Sequence, residues 1–560
     1  MSNTEKKNTF FGGAAILAVS AILVKLIGAV YRIPLGNILP DEVMADYNSA
    51  YNIYNVFLTI STAGLPVALS KTISEANALG RQNQVRKVFK VAFFTFLFMG
   101  LFSFFCMTVL AAPMSEILLS NPKAVYCVLA LAPSVLCVCV MSAFRGYFQG
   151  QFNMVPTGVS QIIESFFKLV VGLALAIYLV YAAAKPEFGS VGAIIGVSTG
   201  SVVALGYILL RFFRSRRETR EVGTDTPDSS GTILKNLLKL AIPITLGSAA
   251  SSLVTLIDNK LVMSQLRTVY EVVDGMSAEV ALDAARELYG IYSKTMSIYN
   301  LPFSMMVPLT ACIIPAVSAS LSKNDRLGAQ RISESAVRVG LLVALPMGMG
   351  LFALGGPIMG LLFPAVDNSI AGFLLSVLGI ASVFVALQLL CNSILQANGM
   401  VNLPILAVVI GGVVKLIVNY VLVGNPDIRI NGAPVGTLCC FAVIALLEIF
   451  IIRRSIPSAP RFARAVGKPL IASIVMAAAA WASHGLIDKV LRSMDLFWKV
   501  SEETGELYYS YIGSAIATFG AILVAVVVYV VLVLVLRTIS KEDLSLMPKG
   551  EKIAKILHIK

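Results

Sequence analysis

The run from Tyr511 to Leu536 is 26 residues long and contains no Asp, Glu, Lys, Arg or His. A stretch of that kind has no place in a water-soluble fold, whereas about 20 consecutive apolar residues are what a helix needs to cross the hydrocarbon of a bilayer. It is the least ambiguous of fourteen such runs, which fall near 10–34, 47–71, 88–113, 122–145, 156–183, 188–213, 232–262, 288–320, 333–363, 369–395, 402–424, 431–452, 465–487 and 509–536. Composition agrees: 57% of residues are hydrophobic and 13% charged, where a soluble protein averages roughly 25% charged. A span with its connection takes on the order of 40 residues, so fourteen spans fill 560 residues and leave no sizeable soluble domain. The expected fold class is an all-α polytopic membrane protein with about 14 transmembrane helices.

The formal charge of +13 fits the excess of Lys and Arg that membrane proteins carry in cytoplasmic connections, so no nucleic-acid partner is inferred. With the N-terminus placed in the cytoplasm, thirty of the 44 Lys and Arg residues fall in inner connections and ten in outer ones. Both termini are therefore expected inside. The first span carries Lys25 and Arg32 and lacks a small-residue cleavage pattern, so it is expected to be retained. Eight cysteines lie in or beside apolar runs without metal-ligand spacing, and the two histidines are His484 and His558. Neither a zinc site nor histidine chemistry is expected.

The chain resembles itself. Thr62 to Ser70 (TAGLPVALS) returns as Thr310 to Ser318 (TACIIPAVS), 248 residues later. Gln149, Pro156 and Lys168 return as Gln396, Pro404 and Lys415, and Gly192 to Gly196 (GAIIG) as Gly432 to Gly436 (GAPVG). Matches in one order at a nearly constant offset mark an internal repeat. Six spans per copy is an even number, so both copies keep one orientation, as two parallel six-helix lobes in pseudo-twofold repeat with the transport path between them. The expected division is 1–220 for the first lobe, 221–455 for the second, and 456–560 for two extra C-terminal helices and a cytoplasmic tail.

A charge inside a bilayer costs several kcal/mol unless it faces protein, water or a counter-charge, which makes each such residue a functional candidate. Lys25 and Arg32 are seven residues apart, two turns along one helix face. Lys25 is too deep to reach the surface easily; Arg32 and Lys260 are each read either as snorkelling side chains or as substrate contacts. Glu164 and Lys168 are spaced i, i+4, and either neutralise one another or line a cavity. Asp258 in the seventh span and Lys415 in the eleventh either form a structural bridge or a gate that breaks and reforms. Arg145 closes the fourth span beside Tyr147 and Phe148. The first six spans therefore hold Lys25, Arg32, Arg145 and Lys168 against Glu164. That surplus suits an anionic group, with phosphate or pyrophosphate the natural fit; a pump for organic cations is expected to line its chamber with acids instead.

Pro66, Pro243, Pro302, Pro308, Pro315, Pro346 and Pro404 interrupt or open spans, and bent helices suit a carrier that rocks between two states. No phosphate-cradling glycine loop is present, so ATP hydrolysis is not the expected drive. The longer outer segments, Val262 to Glu287 and Asp488 to Glu506, contain no histidine and read as amphipathic surface rather than as an enzyme's active-site loop.

The run Arg145-Gly-Tyr-Phe-Gln-Gly150, with Met154-Val-Pro156, Gln161-Ile-Ile-Glu164 and Lys168, resembles the polysaccharide-export branch of the multidrug/oligosaccharidyl-lipid/polysaccharide superfamily. The opening run Lys25-Leu-Ile-Gly28 with Tyr31-Arg32-Ile-Pro34 is similar to the first helix of its stage V sporulation protein B and MurJ-type lipid II flippase group. The resemblance implies the MATE-like two-lobe fold and a flippase moving an undecaprenyl-pyrophosphate-linked saccharide between leaflets of a bacterial plasma membrane. The leading reading is lipid II; the alternative is a drug or metabolite antiporter. It places the pyrophosphate on Lys25 and Arg32. The second-helix and eighth-helix basic residues of MurJ proteins have no match in Val56 to Ile60 or Thr295 to Tyr299, with Lys294 the nearest stand-in. Some relatives bind sodium through positions matched by Asp258, Asn419 and Thr437, although Lys415 one turn from Asn419 can supply a tethered cation instead. The resemblance further implies a tail groove on the last two helices. With ATP set aside, membrane potential or a Na+ or H+ gradient is the expected drive; no cofactor is expected, and the expected state is a monomer with membrane lipids and cell-wall synthesis enzymes as partners.

Overall fold

The computed structural model describes residues 3–218, 225–322, 324–400, 402–457, 459–494, 498–500, 507–509, 511–536 and 538. The chain divides into two compact units, residues 1–290 and 291–560. The first contains α1 (Asn3–Ile38), α2 (Asp41–Thr62), α3 (Leu65–Ala78), α4 (Gln82–Val109), the single turn α5 (Ala111–Pro113), α6 (Val125–Gly150), α7 (Val155–Ile177), α8 (Gly189–Glu218), α9 (Ser230–Val272) and the opening turns of α10 (Ala278–Ser322). The second contains the rest of α10, then α11 (Arg326–Ala353), α12 (Gly355–Leu362), α13 (Asn368–Ala397), α14 (Asn402–Val423), α15 (Gly432–Ser455), α16 (Phe462–Arg492) and α17 (Tyr511–Val535). The repeat read from the sequence divides the chain near 220, while the compact unit extends to 290 because α9 packs on α2, α3 and α4.

Among the described residues, twelve helical segments are long and apolar enough to cross a membrane. The sequence reading counts fourteen. The two further runs, near 232–262 and 288–320, fall on α9 and α10, continuous helices of 43 and 45 residues whose side chains are described only in part. The chain is a multi-pass membrane protein, and the apolar side chains it leaves outside, such as Phe519, Leu523 and Val527 on α17, face a medium that does not penalise them. Where the sequence suggests an amphipathic segment before the last helix, Trp498–Val500 pairs antiparallel with Leu507–Tyr509.

Prolines do two different things. Pro66 and Pro404 lie in the opening turns of α3 and α14, where a missing N–H is harmless. Pro243, Pro302, Pro308, Pro315 and Pro346 lie inside helices that continue through them. In the first unit the core gathers around α2 and α6, with Tyr31, Leu35, Tyr47, Leu131 and Val135 fully buried. Helices α7 and α8 approach closely through Gly172, Gly196 and Gly200: a Cβ on Gly196 would overlap the backbone of Gly172. Small residues permit such approach where hydrophobic burial alone cannot drive helices together. That contact fixes the face of α7 carrying Glu164 and Lys168.

Candidate functional site

Inside the first unit, α1, α2, α6 and α7, with Pro66 of α3 and Val197 of α8, line an open hollow of about 560 Å³. Its polar lining includes Lys25, Tyr51, Arg145, Gln161, Glu164 and Lys168. Three of the four basic residues expected to hold a pyrophosphate therefore share one cavity, together with Glu164. The fourth does not line it. Arg32, two turns beyond Lys25, is half-buried against α2, where Nη1 donates to Asn48 Oδ1 at 3.1 Å and the guanidinium lies 5.8 Å from the Tyr47 ring centre.

The two readings of Glu164 and Lys168 are separated by geometry. Glu164 pairs with Arg145, whose Nη2 stands 3.0 Å from Oε2 while Nε donates to Ser160 Oγ at 2.9 Å. Ser201 Oγ adds a weaker contact to Glu164 at 3.4 Å. Lys168 turns away from that pair. Its Nζ donates to the Tyr51 hydroxyl at 3.0 Å and lies 4.9 and 4.8 Å from the ring centres of Tyr31 and Tyr51. Ring faces attract a cation without neutralising it, so Lys168 is oriented by aromatics and its charge remains available to the hollow. Tyr31 is itself fixed by its hydroxyl donating to Ala193 O at 3.2 Å. With Arg145 and Glu164 offsetting each other, the net charge over the cavity comes from Lys25, which is exposed, and Lys168.

A second, smaller pocket of about 210 Å³ lies between α2 and α9, lined by Asn52, Asn55, Thr59, Ser252 and Thr255. Thr59 and Ser252 hydroxyls meet at 3.1 Å across it. Sequence reasoning directed at charges passes over this pocket, since all five side chains are neutral. The signal was present as the helical spacing of Asn52, Asn55 and Thr59 along one face of α2.

At the α1–α2 end of the first unit, a buried ionic cluster joins elements distant in sequence. Arg286 donates from Nε to Asp46 Oδ1 at 2.9 Å and from Nη2 to Asp46 Oδ2 at 2.5 Å. Asn121 also donates to Asp46, at 2.8 Å, and Asp283 accepts from both Arg286 and Lys123. Burial pushes the Asp283 carboxyl up, but Lys123 and Arg286 outweigh it and hold the group below the usual carboxylate range. No short-range pattern announces this cluster: Asp46 and Arg286 are 240 residues apart.

The remaining candidates lie deeper. Asp258 is buried on α9 in the first unit, next to Asn259, which donates to the Tyr289 hydroxyl at 2.6 Å. In the second unit Lys415 and Asn419 are buried on α14, and Thr437 is buried on α15 with its hydroxyl 3.3 Å from that of Tyr292. Gly436 brings α15 against Asn419 so closely that a Cβ there would overlap the amide oxygen, so Asn419 and Thr437 sit at one helix contact. Among the described residues no group of three or more His, Cys, Asp or Glu side chains is placed to hold a metal ion. Sequence reasoning missed Glu448, a carboxyl inside the twelfth expected span and completely buried; its signal was a lone acid between Leu447 and Ile449.

A helical membrane protein with a polar, cationic hollow inside its spans has the build of a carrier. The chain belongs to the polysaccharide biosynthesis protein family, which it matches over residues 10–321, and residues 288–421 also match the MatE family. It is 24% identical to stage V sporulation protein B of Bacillus subtilis over 97% of this chain and 98% of that protein. It is also 24% identical to the lipid II flippase MurJ of the same organism, over 79% of this chain and 82% of that one. The fold is shared with a solved lipid II flippase MurJ in an inward closed conformation, at a TM-score of 0.64 and 14% identity, over 93% of this chain and 98% of that chain.

Proposed function

We propose that the chain is a flippase for a lipid-linked, phosphate-bearing saccharide, with lipid II the leading cargo, working by alternating access in a bacterial plasma membrane and making or breaking no covalent bond. The observation that carries this reading is Lys25 and Lys168, brought from two helices to one hollow inside the membrane-spanning bundle. A pyrophosphate offers several anionic oxygens to donors of this kind, and charge-assisted hydrogen bonds are the stronger ones. Arg145 joins them when it exchanges Glu164 for the phosphate. Arg32, outside the hollow, serves as a staging contact nearer the α1–α2 end. The amides and hydroxyls of the α2–α9 pocket suit the sugar, since each can both give and take a hydrogen bond or offers a fixed pair of donor and acceptor. The groove of α16 and α17 is assigned to the polyprenyl tail. Asp258, Lys415, Asn419 and Thr437 are assigned to gating or ion coupling, with membrane potential or a Na+ or H+ gradient as drive. The protein is expected to act as a monomer, with both termini in the cytoplasm and cell-wall enzymes as neighbours. The names of the relatives support the cargo class.

The test is twofold. Lys25→Ala and Lys168→Ala should each abolish the appearance of the lipid-linked precursor in the outer leaflet while membrane insertion is unchanged. Native mass spectrometry of the wild type should show a retained polyprenyl pyrophosphate that both variants lose. Full externalisation in both variants removes the proposal. Binding of an organic cation with indifference to polyprenyl pyrophosphate replaces it with an antiporter.

A further inference from the structure

Glu448 has no counter-charge and no hydrogen-bond donor among the described residues. It is completely buried on α15, and neither carboxyl oxygen has a partner. One turn to either side on the same face, Ile444 is packed with Ala407 of α14 and Ile452 with Cys391 and Leu395 of α13. An ionised carboxylate in such surroundings costs far more than a folded domain has to spend, and the neutral acid is what persists there.

Among the described residues, the surroundings contain nothing that would change this. Helix α13 carries no charged residue, and its titratable group nearest the acid is the Cys391 thiol. Helix α14 meets this part of α15 through Gly411 against Ile444, and its titratable residues, Lys415 and Tyr420, lie further along, away from Glu448. On α15 itself Arg453 and Arg454 sit in the exposed last turn, and Cys439 and Cys440 lie two turns back. The apolar cluster also takes in α11 and α16, whose described charged residues on the facing turns are Glu334, Arg338 and Lys468. Glu334 accepts from the backbone N–H of Arg461 and from Gln330. A metal ion would need several oxygen ligands converging on the site, and Glu448 offers one carboxyl group.

We propose that Glu448 is a proton-binding site of the transport cycle, holding one proton in the conformer described and giving it to water when the α13–α15 contact opens. The step is RCOOH to RCOO⁻ plus H⁺, with the proton passing to solvent and returning when the contact closes. It goes beyond the flippase reading, because it concerns the coupling ion rather than the cargo, and one of its two readouts needs no cargo.

The first measurement is infrared spectroscopy of the whole protein in lipid. At neutral pH the wild type should show a carboxylic-acid C=O band that Glu448→Gln lacks, and Glu448→Asp should restore one at a shifted frequency. Identical wild-type and Gln spectra overturn the proposal. The second uses vesicles enclosing a pH-sensitive dye, with a polyprenyl pyrophosphate in the bilayer. Wild type and Glu448→Asp should carry protons down an imposed gradient, and Glu448→Gln should lose that flux. Equal flux in wild type and Gln, or no flux in either while the band persists at every pH, overturns it. Failure of the flippase reading is registered separately, as absence of bound polyprenyl pyrophosphate in native mass spectrometry.

Discussion

Arg286 grips Asp46 with two nitrogen atoms on two oxygen atoms, both residues buried, and so ties the first turns of α10 to the first turns of α2. α10 is also the helix along which the chain passes from one compact unit to the next, at Gly290. Breaking one partner of a buried pair leaves the other charge unmatched, at a cost of about 3–5 kcal/mol, whereas replacing both with apolar groups is often nearly neutral. Arg286→Leu and Asp46→Leu should each lower the thermal unfolding midpoint in detergent, and the double variant should recover much of the loss. Additive losses in the double variant would show that the two residues act separately.

Lys168 is positioned by two tyrosines, one of them through a hydrogen bond. A hydrogen bond to a charged group is worth about 1.5–3 kcal/mol, so Lys168→Gln should weaken pyrophosphate binding by on the order of tenfold or more. Tyr51→Phe keeps the ring beneath the ammonium and loses only the hydroxyl, so its effect should be smaller. Calorimetric titration with a polyprenyl pyrophosphate in detergent gives both numbers; equal effects would mean that Tyr51, and not the charge it orients, contacts the cargo.

In the proposed cycle Glu164, paired with Arg145, competes with the anionic cargo for that guanidinium. Removing its charge should therefore strengthen binding: Glu164→Gln is expected to raise pyrophosphate affinity by a few-fold, and Arg145→Ala to lower it. Both changes should shrink as salt is added, because cavity charges open to water are screened. A Glu164→Gln variant that binds more weakly would mark the pair as scaffolding for α6 and α7.

Much of this was legible before any coordinates. Hydropathy gave the helices because a bilayer leaves so few ways to satisfy a backbone, and the basic residues of the first six spans stood out because charge there is rare. What the sequence could not give was pairing. Glu164 has Lys168 one turn away and Arg145 nineteen residues back, and only the packing of α6 on α7 shows that the arginine wins. Arg32 shares a helix face with Lys25, yet Asn48 holds it against α2. The neutral pocket around Asn52 and Ser252 was invisible to a search for charges, and the Asp46–Arg286 cluster depends on a contact across half the chain.

The connection between α8 and α9 is anchored by an acid. Asp225 accepts the backbone N–H groups of Asn83 and Gln84 at 2.8 and 2.9 Å, capping α4 from a distant part of the chain. Desolvation pushes its carboxyl up, but those amides and Arg81 outweigh it and hold the group below its ordinary value. A carboxyl lowered by folding contributes stability above its unfolded pKa, and that contribution is lost as pH falls through the folded value. Acidification should therefore lower the wild-type melting temperature more steeply than that of Asp225→Asn. Parallel slopes would show that this cap does not govern acid stability.

The α7–α8 contact offers a test in which two chemically identical changes on one helix diverge. Gly196 lies against the Gly172 backbone, so a methyl group there must force the helices apart, and overpacking of this kind costs typically 1–3 kcal/mol. Gly206, ten residues on, has nothing within 4 Å of its would-be Cβ. There Gly→Ala removes backbone freedom from the unfolded chain and should be neutral or stabilising by up to about 1 kcal/mol. The consequence at Gly196 should not stop at stability, because α7 carries Glu164 and Lys168 and α8 carries Ala193, which holds Tyr31 beneath the lysine. Gly196→Ala is expected to lower the melting temperature and weaken pyrophosphate binding together, while Gly206→Ala leaves binding unchanged. If Gly196→Ala melts early yet binds normally, the hollow does not take its shape from this helix pair.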